Sequence, residues 1–241
     1  MFRNLFLAAV LAALCAGLVM SAIQHFRVTP LILYAETFEG EGHTHGQGHV
    51  HEDGTEHTHE ITEGDGGAVV EEWTPQDGFE RTAYTVLANL LAAAGFALVL
   101  GAVSMLASIP ITFANGVLWG IAGFFVFSLA PAFGLAPELP GMPAGDLFAR
   151  QVWWVGTALA TGAAALLLVK TRAPWAILAA VILVVLPHVL GAPAVPDEPS
   201  TVPAHLATQF AAATLGTTAV FWIILGAVFG GLNDQFSRSL S

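Results

Sequence analysis

The chain consists of long apolar stretches separated by short polar ones. Six stretches of mostly apolar residues cover 5–24, 83–107, 112–133, 151–169, 174–191 and 206–231. About 20 such residues cross the hydrocarbon core of a bilayer as a helix, which satisfies its backbone N–H and C=O groups internally. The pattern predicts an all-α integral membrane protein, a polytopic bundle of about six transmembrane helices. Stretch 174–191 is the shortest, so five spans are the alternative.

One polar interruption, residues 36–80, differs from the others in length and charge. It holds thirteen of the eighteen acidic residues and no Lys or Arg, whereas the rest of the chain carries about +2. It is rich in glycine and has few apolar side chains, so it buries too little surface to offset the entropy of ordering. We therefore divide the chain into a first helix with an interfacial segment (1–35), an acidic histidine-rich loop, disordered without metal (36–80), and a bundle of about five helices (81–241).

The loop carries three His-x-His pairs within seventeen residues. In an extended chain, residues i and i+2 point to the same side, so both imidazoles of a pair can reach one ion. Neutral imidazole suits Zn, Ni, Cu and Co, whereas Mg and Ca prefer oxygen. A merely solvated linker is the alternative. The predicted ligands in the loop are His43, His45, His49, His51, His57 and His59.

The remaining histidines are predicted to lie at the outer ends of three helices. His25 and His205 flank apolar stretches, His188 lies near the end of stretch 174–191, and Pro187 cannot donate a hydrogen bond to the turn before it. A helix broken at Pro187 would present free carbonyls, as in the ion sites of many transporters. We expect these histidines, together with Glu36 and Glu39, to form a second metal site at the outer mouth, with isolated interfacial histidines as the alternative.

The predicted spans contain no Asp, Glu or Lys, which argues against a carboxylate proton relay inside the membrane. A conduction path would use backbone carbonyls and the side chains of Asn89, Ser104, Ser128, Thr157, Thr161, Thr214, Thr217 and Thr218. Val169 rather than glycine precedes Lys170, the single lysine, so a Walker A loop is absent. No basic patch indicates nucleic acid.

The basic residues near the helix ends favour a cytoplasmic N-terminus. With that orientation four of them fall inside and three outside, and the histidine-rich loop lies on the extracytoplasmic side of a bacterial inner membrane. The first stretch, Leu5 to Ile23, is longer than the apolar core of a signal peptide and lacks a clear cleavage site, so we interpret it as an uncleaved transmembrane helix. Cys15, the single cysteine, excludes a disulfide framework.

Several blocks of the sequence resemble the CbtA family of proposed bacterial cobalt transporter subunits. The blocks are Met1-Phe2-Arg3, Pro30-Leu31-Ile32, Trp119-Gly120-Ile121-Ala122-Gly123-Phe124, Ser128-Leu129-Ala130-Pro131, Pro137-Glu138-Leu139-Pro140-Gly141, Ala149-Arg150-Gln151-Val152-Trp153-Trp154 and Pro187-His188. The resemblance covers essentially the whole chain. It implies cobalt uptake beside a small single-span, histidine-bearing partner (CbtB), and it implies five spans.

These observations predict a permease component for a divalent transition metal, with cobalt favoured over nickel or zinc as substrate. In this hypothesis the loop collects ions, and no tightly bound cofactor is needed. A membrane protein that buffers or senses metal without transporting it is the alternative. An enzyme is not expected, because the spans lack an acidic group or a histidine cluster at mid-depth.

Overall fold

A computed structural model describes residues 2–42 and 75–238, which form seven helices without a strand in these two ranges. They are α1 (Phe2–Arg27), α2 (Thr29–Gly42), α3 (Phe79–Ala107), α4 (Gly116–Ala132), α5 (Leu147–Lys170), α6 (Pro174–Leu190) and α7 (Ala204–Arg238).

Six of the seven helices coincide with the six apolar stretches. Four of them, α1, α3, α5 and α7, are long and apolar enough to cross a membrane. The other two, α4 and α6, are apolar but shorter, and at 1.5 Å per residue each rises roughly 26 Å. The helical part of the prediction is confirmed, and the chain has the architecture of a multi-pass membrane bundle.

Small residues lie inside this bundle and large apolar residues lie outside. Along α1 one face of alanines, Ala8 to Ala16, is almost completely buried, whereas Leu11, Leu14 and Leu18 are exposed. Leu106 on α3 and Leu159 on α5 are also exposed, with 88% and 69% of their surfaces accessible. Packing of this kind is typical of helices in lipid, which contact one another through small residues and present large side chains to acyl chains.

Neighbouring helices run antiparallel, and the contacts at both ends of the bundle show this. Asn4 near the start of α1 donates to the carbonyl of Phe236 near the end of α7 at 3.0 Å. Asn89 in the first half of α3 donates to Gln24 near the end of α1 at 2.6 Å. One end of the bundle therefore gathers the ends of α1, α4 and α6 and the starts of α3, α5 and α7. We call it the loop end, because α2 and the start of α3, which border residues 43–74, lie there.

Helix α2 was only partly anticipated. The sequence suggested an interfacial segment that passes into a loop at residue 36, but the helix continues through Glu36 to Gly42. Packing explains the difference. Val28 and Ala35 join a small apolar core with Leu139, from the α4–α5 connection, and with Leu206 at the start of α7. Burial against these residues stabilises a helix that its glycines disfavour.

Helix α4 contains a widened turn. Residues Phe125–Leu129 form a π-helix, and the N–H of Ala130 donates to the carbonyl of Phe125, five residues earlier. Pro131 follows directly and has no N–H to donate to the preceding turn, which removes one α-helical hydrogen bond at this position. Such π-turns inside α-helices are frequent at functional sites.

Candidate functional site

Six of the predicted metal ligands belong to the histidine-rich loop. His43, His45, His49, His51, His57 and His59 lie outside the described residues. Glu39 lies in the described part of α2, but its side chain does not. Metal binding by these residues stays a prediction.

The other three histidines lie at the loop end, on three different helices. His25, in the last turn of α1, and His205, in the first turn of α7, are exposed. His188, in the last turn of α6, is half-buried and contacts Trp153 edge-on, with ring centroids 5.6 Å apart. Within residues 2–42 and 75–238, no three His, Cys, Asp or Glu side chains are placed to hold a metal ion. A metal site that combines His25, His188 and His205 with Glu36 and Glu39 stays a prediction.

The expected break at Pro187 is not observed. Helix α6 continues through Pro187 to Leu190, and the carbonyl of Pro187 accepts from the Gly191 N–H at 3.1 Å and from the Trp153 indole N–H at 3.2 Å. A proline removes one hydrogen bond to the turn before it. Pro187 lies only three residues before the end of α6, so the helix continues to Leu190 without that bond. The Trp153 bond ties α6 to α5 here.

Glu36, a predicted ligand, is paired with Arg81 in this structure. Both carboxylate oxygens of Glu36 accept from the guanidinium of Arg81, and Arg81 also donates to Asp77 at 2.9 Å. This forked arrangement is the stronger form of an ion pair between arginine and a carboxylate. It joins α2 to the start of α3, the two helices on either side of residues 43–74 in the chain.

A cleft of about 810 Å³ opens at the loop end, between α4, α5 and α7. The α4–α5 connection and the first turns of α5 form its rim. Along α7 the cleft extends to Thr218, which at 1.5 Å per residue lies roughly 20 Å from the first residue of that helix. The cleft therefore extends well along the axis of the bundle.

Many residues of the cleft belong to the sequence blocks that carry the family resemblance. They are Ser128, Pro131, Pro137, Glu138, Arg150, Gln151 and Trp154. These blocks are separate along the chain, and the fold brings them together around one cavity. The cleft is therefore a candidate functional site.

One carboxylate and one guanidinium stand at the rim. Arg150 Nη2 donates to Glu138 Oε2 at 2.6 Å, and both side chains are mostly buried, with 27% and 20% of their surfaces exposed. They are the charged residues among the described residues that line the cleft. The cleft is therefore close to neutral overall, with one acid that a cation can approach.

The deeper part of the cleft is lined by hydroxyl groups. Ser128 lies on the π-turn and accepts from the indole N–H of Trp222 at 3.2 Å. Thr218 donates to the carbonyl of Thr214 at 2.8 Å. The hydroxyl of Thr214 itself is buried and has no hydrogen-bond partner within the described ranges. A buried polar atom without a partner is uncommon in folded proteins.

Of the polar residues predicted for a conduction path, Ser128, Thr214 and Thr218 line the cleft. The remaining residues of that predicted path do not line the cleft. Asn89 bonds Ser21 and Gln24, Ser104 bonds the carbonyl of Ile109, and Thr217 bonds the carbonyl of Ala213. Thr157 and Thr161 are buried in α5 and, within the described ranges, have no partner.

Sequence reasoning missed the pairing of Glu138 with Arg150 and the π-turn. Glu138 and Arg150 are twelve residues apart across an irregular connection, so no periodicity links them. The π-turn had one usable signal, Pro131 within a strongly apolar stretch, because a proline there has to disturb the helix.

Comparison with known proteins identifies the family of the chain but assigns no site. No curated protein and no solved structure matches the chain. The family described as "Probable cobalt transporter subunit (CbtA)" matches residues 2–234, nearly the whole chain. The chain therefore belongs to the CbtA family of probable cobalt transporter subunits.

Proposed function

We propose that this protein is a membrane permease component that takes up a divalent transition-metal cation, with cobalt as the favoured metal. The observation that carries the proposal is the cleft, where separate parts of the chain meet around one acid and a set of hydroxyl groups. A cation path needs sites that bind well enough to admit an ion and weakly enough to release it. A single carboxylate followed by neutral oxygens meets that requirement.

The histidine-rich loop is proposed to concentrate metal in front of the cleft. The pair between Glu36 and Arg81 joins the two helices that flank it in the chain, and α2 packs on Leu139, the neighbour of Glu138. This packing supports a loop that delivers ions to the rim. Ions held by imidazoles such as those of His43, His45 and His49 would then be released near the carboxylate that receives them. Imidazole binds nickel and zinc as well, so these are the alternative substrates.

The membrane potential can drive this uptake. We propose a cytoplasmic N-terminus in the inner membrane, with the loop end outside. A potential of ~100 mV, inside negative, favours inward movement of a divalent cation by about 4.6 kcal/mol, twice the value for a single charge. This is roughly a 2,000-fold concentration ratio at equilibrium, since about 1.4 kcal/mol corresponds to a factor of ten.

A partner subunit belongs to the proposal. The family description calls its members subunits. We propose that the partner is a small protein with one transmembrane helix and histidines of its own, similar to CbtB. The role of both proteins is transport rather than catalysis.

The test is uptake by proteoliposomes that contain the purified protein, with and without the partner. Under an inside-negative potential, Co²⁺ uptake should exceed that of empty liposomes, and it should fall when the potential is abolished. Mg²⁺, which prefers oxygen ligands and keeps its waters, is the control cation. Metal binding without flux in both preparations would instead identify a buffering or sensing protein.

A further inference from the structure

We infer that Arg150 is the built-in counter-cation of the cleft. It neutralises Glu138 while the cleft is empty and yields that carboxylate to the incoming divalent cation. This inference rests on the proposed function and assigns the residues that carry it out.

The geometry of the pair favours replacement of Arg150 by a cation over a permanent structural ion pair. Arg150 reaches Glu138 through one hydrogen bond, from Nη2 to Oε2. Within the described part of the chain the other oxygen, Oε1, receives none. The pair between Arg81 and Glu36 at the same end differs, because both carboxylate oxygens are engaged and Asp77 adds a third contact. Glu138 thus retains an oxygen with which a cation can interact before Arg150 leaves.

The backbone beside Glu138 is anchored at Leu139, whereas the guanidinium of Arg150 ends a long side chain. Glu138 lies between Pro137 and Leu139. The side chain of Leu139 is only 3% exposed, and its N–H donates to Met142 Sδ at 3.3 Å. Arg150 projects from the first turn of α5 on a long, flexible side chain whose only described partner is Glu138. Rotation about the bonds of that side chain is sufficient to free the carboxylate.

Charge explains why a counter-cation is useful here. A mostly buried carboxylate without a partner is costly in the empty state, and with a divalent cation it forms a site that releases its ligand slowly. A tethered guanidinium removes both difficulties. It satisfies Glu138 when no ion is present, and it competes with the ion for Glu138 when the ion is due to leave.

Two substitutions separate the halves of this mechanism. Glu138→Gln removes the receiving charge, so KM for Co²⁺ uptake should rise at least tenfold. Arg150→Gln removes the competitor, so KM should fall about fivefold or more while maximal uptake also falls, because release is slowed. Opposite shifts in KM distinguish this mechanism from a structural ion pair, whose loss would affect both variants alike.

Each substitution has a control that makes the same charge change nearby. Asp146→Asn removes one negative charge four residues before Arg150. Asp146 caps α5 by accepting from the Ala149 N–H at 2.8 Å, and asparagine is an equally good cap. Arg27→Gln removes one positive charge from the exposed last turn of α1. Both controls should leave KM within twofold of wild type.

A chemical measurement tests the displacement without relying on transport. Phenylglyoxal modifies free guanidinium groups, and peptide mass spectrometry reports the rate at each arginine of the full chain. Co²⁺ should accelerate modification of Arg150 at least threefold and leave exposed Arg27 unchanged, and in Glu138→Gln the rate at Arg150 should be high with or without Co²⁺. A rate at Arg150 that Co²⁺ leaves unchanged or lowers would overturn the inference. Absence of uptake by the wild type would overturn the proposed function instead.

Discussion

The contact between α4 and α7 gives a prediction whose magnitude follows from the structure. At Gly226 on α7, a Cβ atom would lie 2.2 Å from the carbonyl oxygen of Gly116 and 2.6 Å from the backbone nitrogen of Gly120. Ordinary contacts begin at 3.4 Å, so Gly226→Ala requires the two backbones to separate by about 1 Å. The atoms in the way belong to helix backbone and cannot rotate aside.

The expected cost is at the upper end of the range for overpacking, about 3 kcal/mol. Separation would also loosen the indole of Trp222, which lies against Gly123 on the same side of α4. Proteins of 150–250 residues lose ~2–4 °C in melting temperature per kcal/mol, so the variant should melt about 6–12 °C below wild type.

Gly216→Ala is the matched control, because it adds the same methyl group to the same helix. A Cβ atom at Gly216 has nothing within 4 Å, so this variant should not melt below wild type. Thermal unfolding of both purified proteins in the same detergent is the assay. If Gly226→Ala and Gly216→Ala melt at the same temperature, the close approach of α4 and α7 is wrong.

Three further predictions concern the loop and α6. Deletion of residues 43–59 should lower Co²⁺ uptake at scarce metal and leave uptake at saturating metal unchanged; a complete loss at saturating metal would contradict a collecting role. Metal binding by the loop should fall steeply below about pH 6, because imidazole binds metal only when neutral and an unperturbed histidine has a pKa near 6.5. Calorimetric titrations from pH 5 to 8 test this, and pH-independent binding would indicate carboxylate ligands. Trp153→Phe removes the N–H donor to the carbonyl of Pro187 while keeping an aromatic ring, and it should lower stability by about 1 kcal/mol. Its melting temperature, with Trp175→Phe on exposed Trp175 as control, is the measurement.

The positions of the helices could be predicted from the sequence because lipid leaves few alternatives. A backbone without water must hydrogen-bond to itself, so each long apolar stretch becomes a helix. The prediction of spans therefore depended on composition alone, and α1, α3 and α5 lie where hydropathy placed them. By the same reasoning His25, His188 and His205 were correctly assigned to one end of the bundle.

The cleft could not be predicted, because hydropathy fixes the depth of a residue in the membrane but not the direction in which it faces. Whether His188 meets His205 or Trp153 depends on how each helix is rotated and on which helices are neighbours. Both follow from the packing of small residues such as Gly120 and Gly226, and nearly every helix of this chain offers such residues. The pair between Glu138 and Arg150 depends further on the path of an irregular connection, which no pattern in the sequence specifies.

The π-turn in α4 determines which part of the chain tolerates a change in length. Each residue of an α-helix turns the chain by about 100°. A π-turn of five residues accommodates one more residue than a regular turn. Removing one residue from Phe125–Leu129 would therefore restore a regular turn and leave the residues beyond it facing as before. A one-residue deletion in the regular part of the helix, Gly116–Phe124, would instead rotate everything beyond it by about 100°. Such a deletion should separate Glu138 from Arg150 although it removes neither residue, whereas a deletion in the π-turn should keep the pair together.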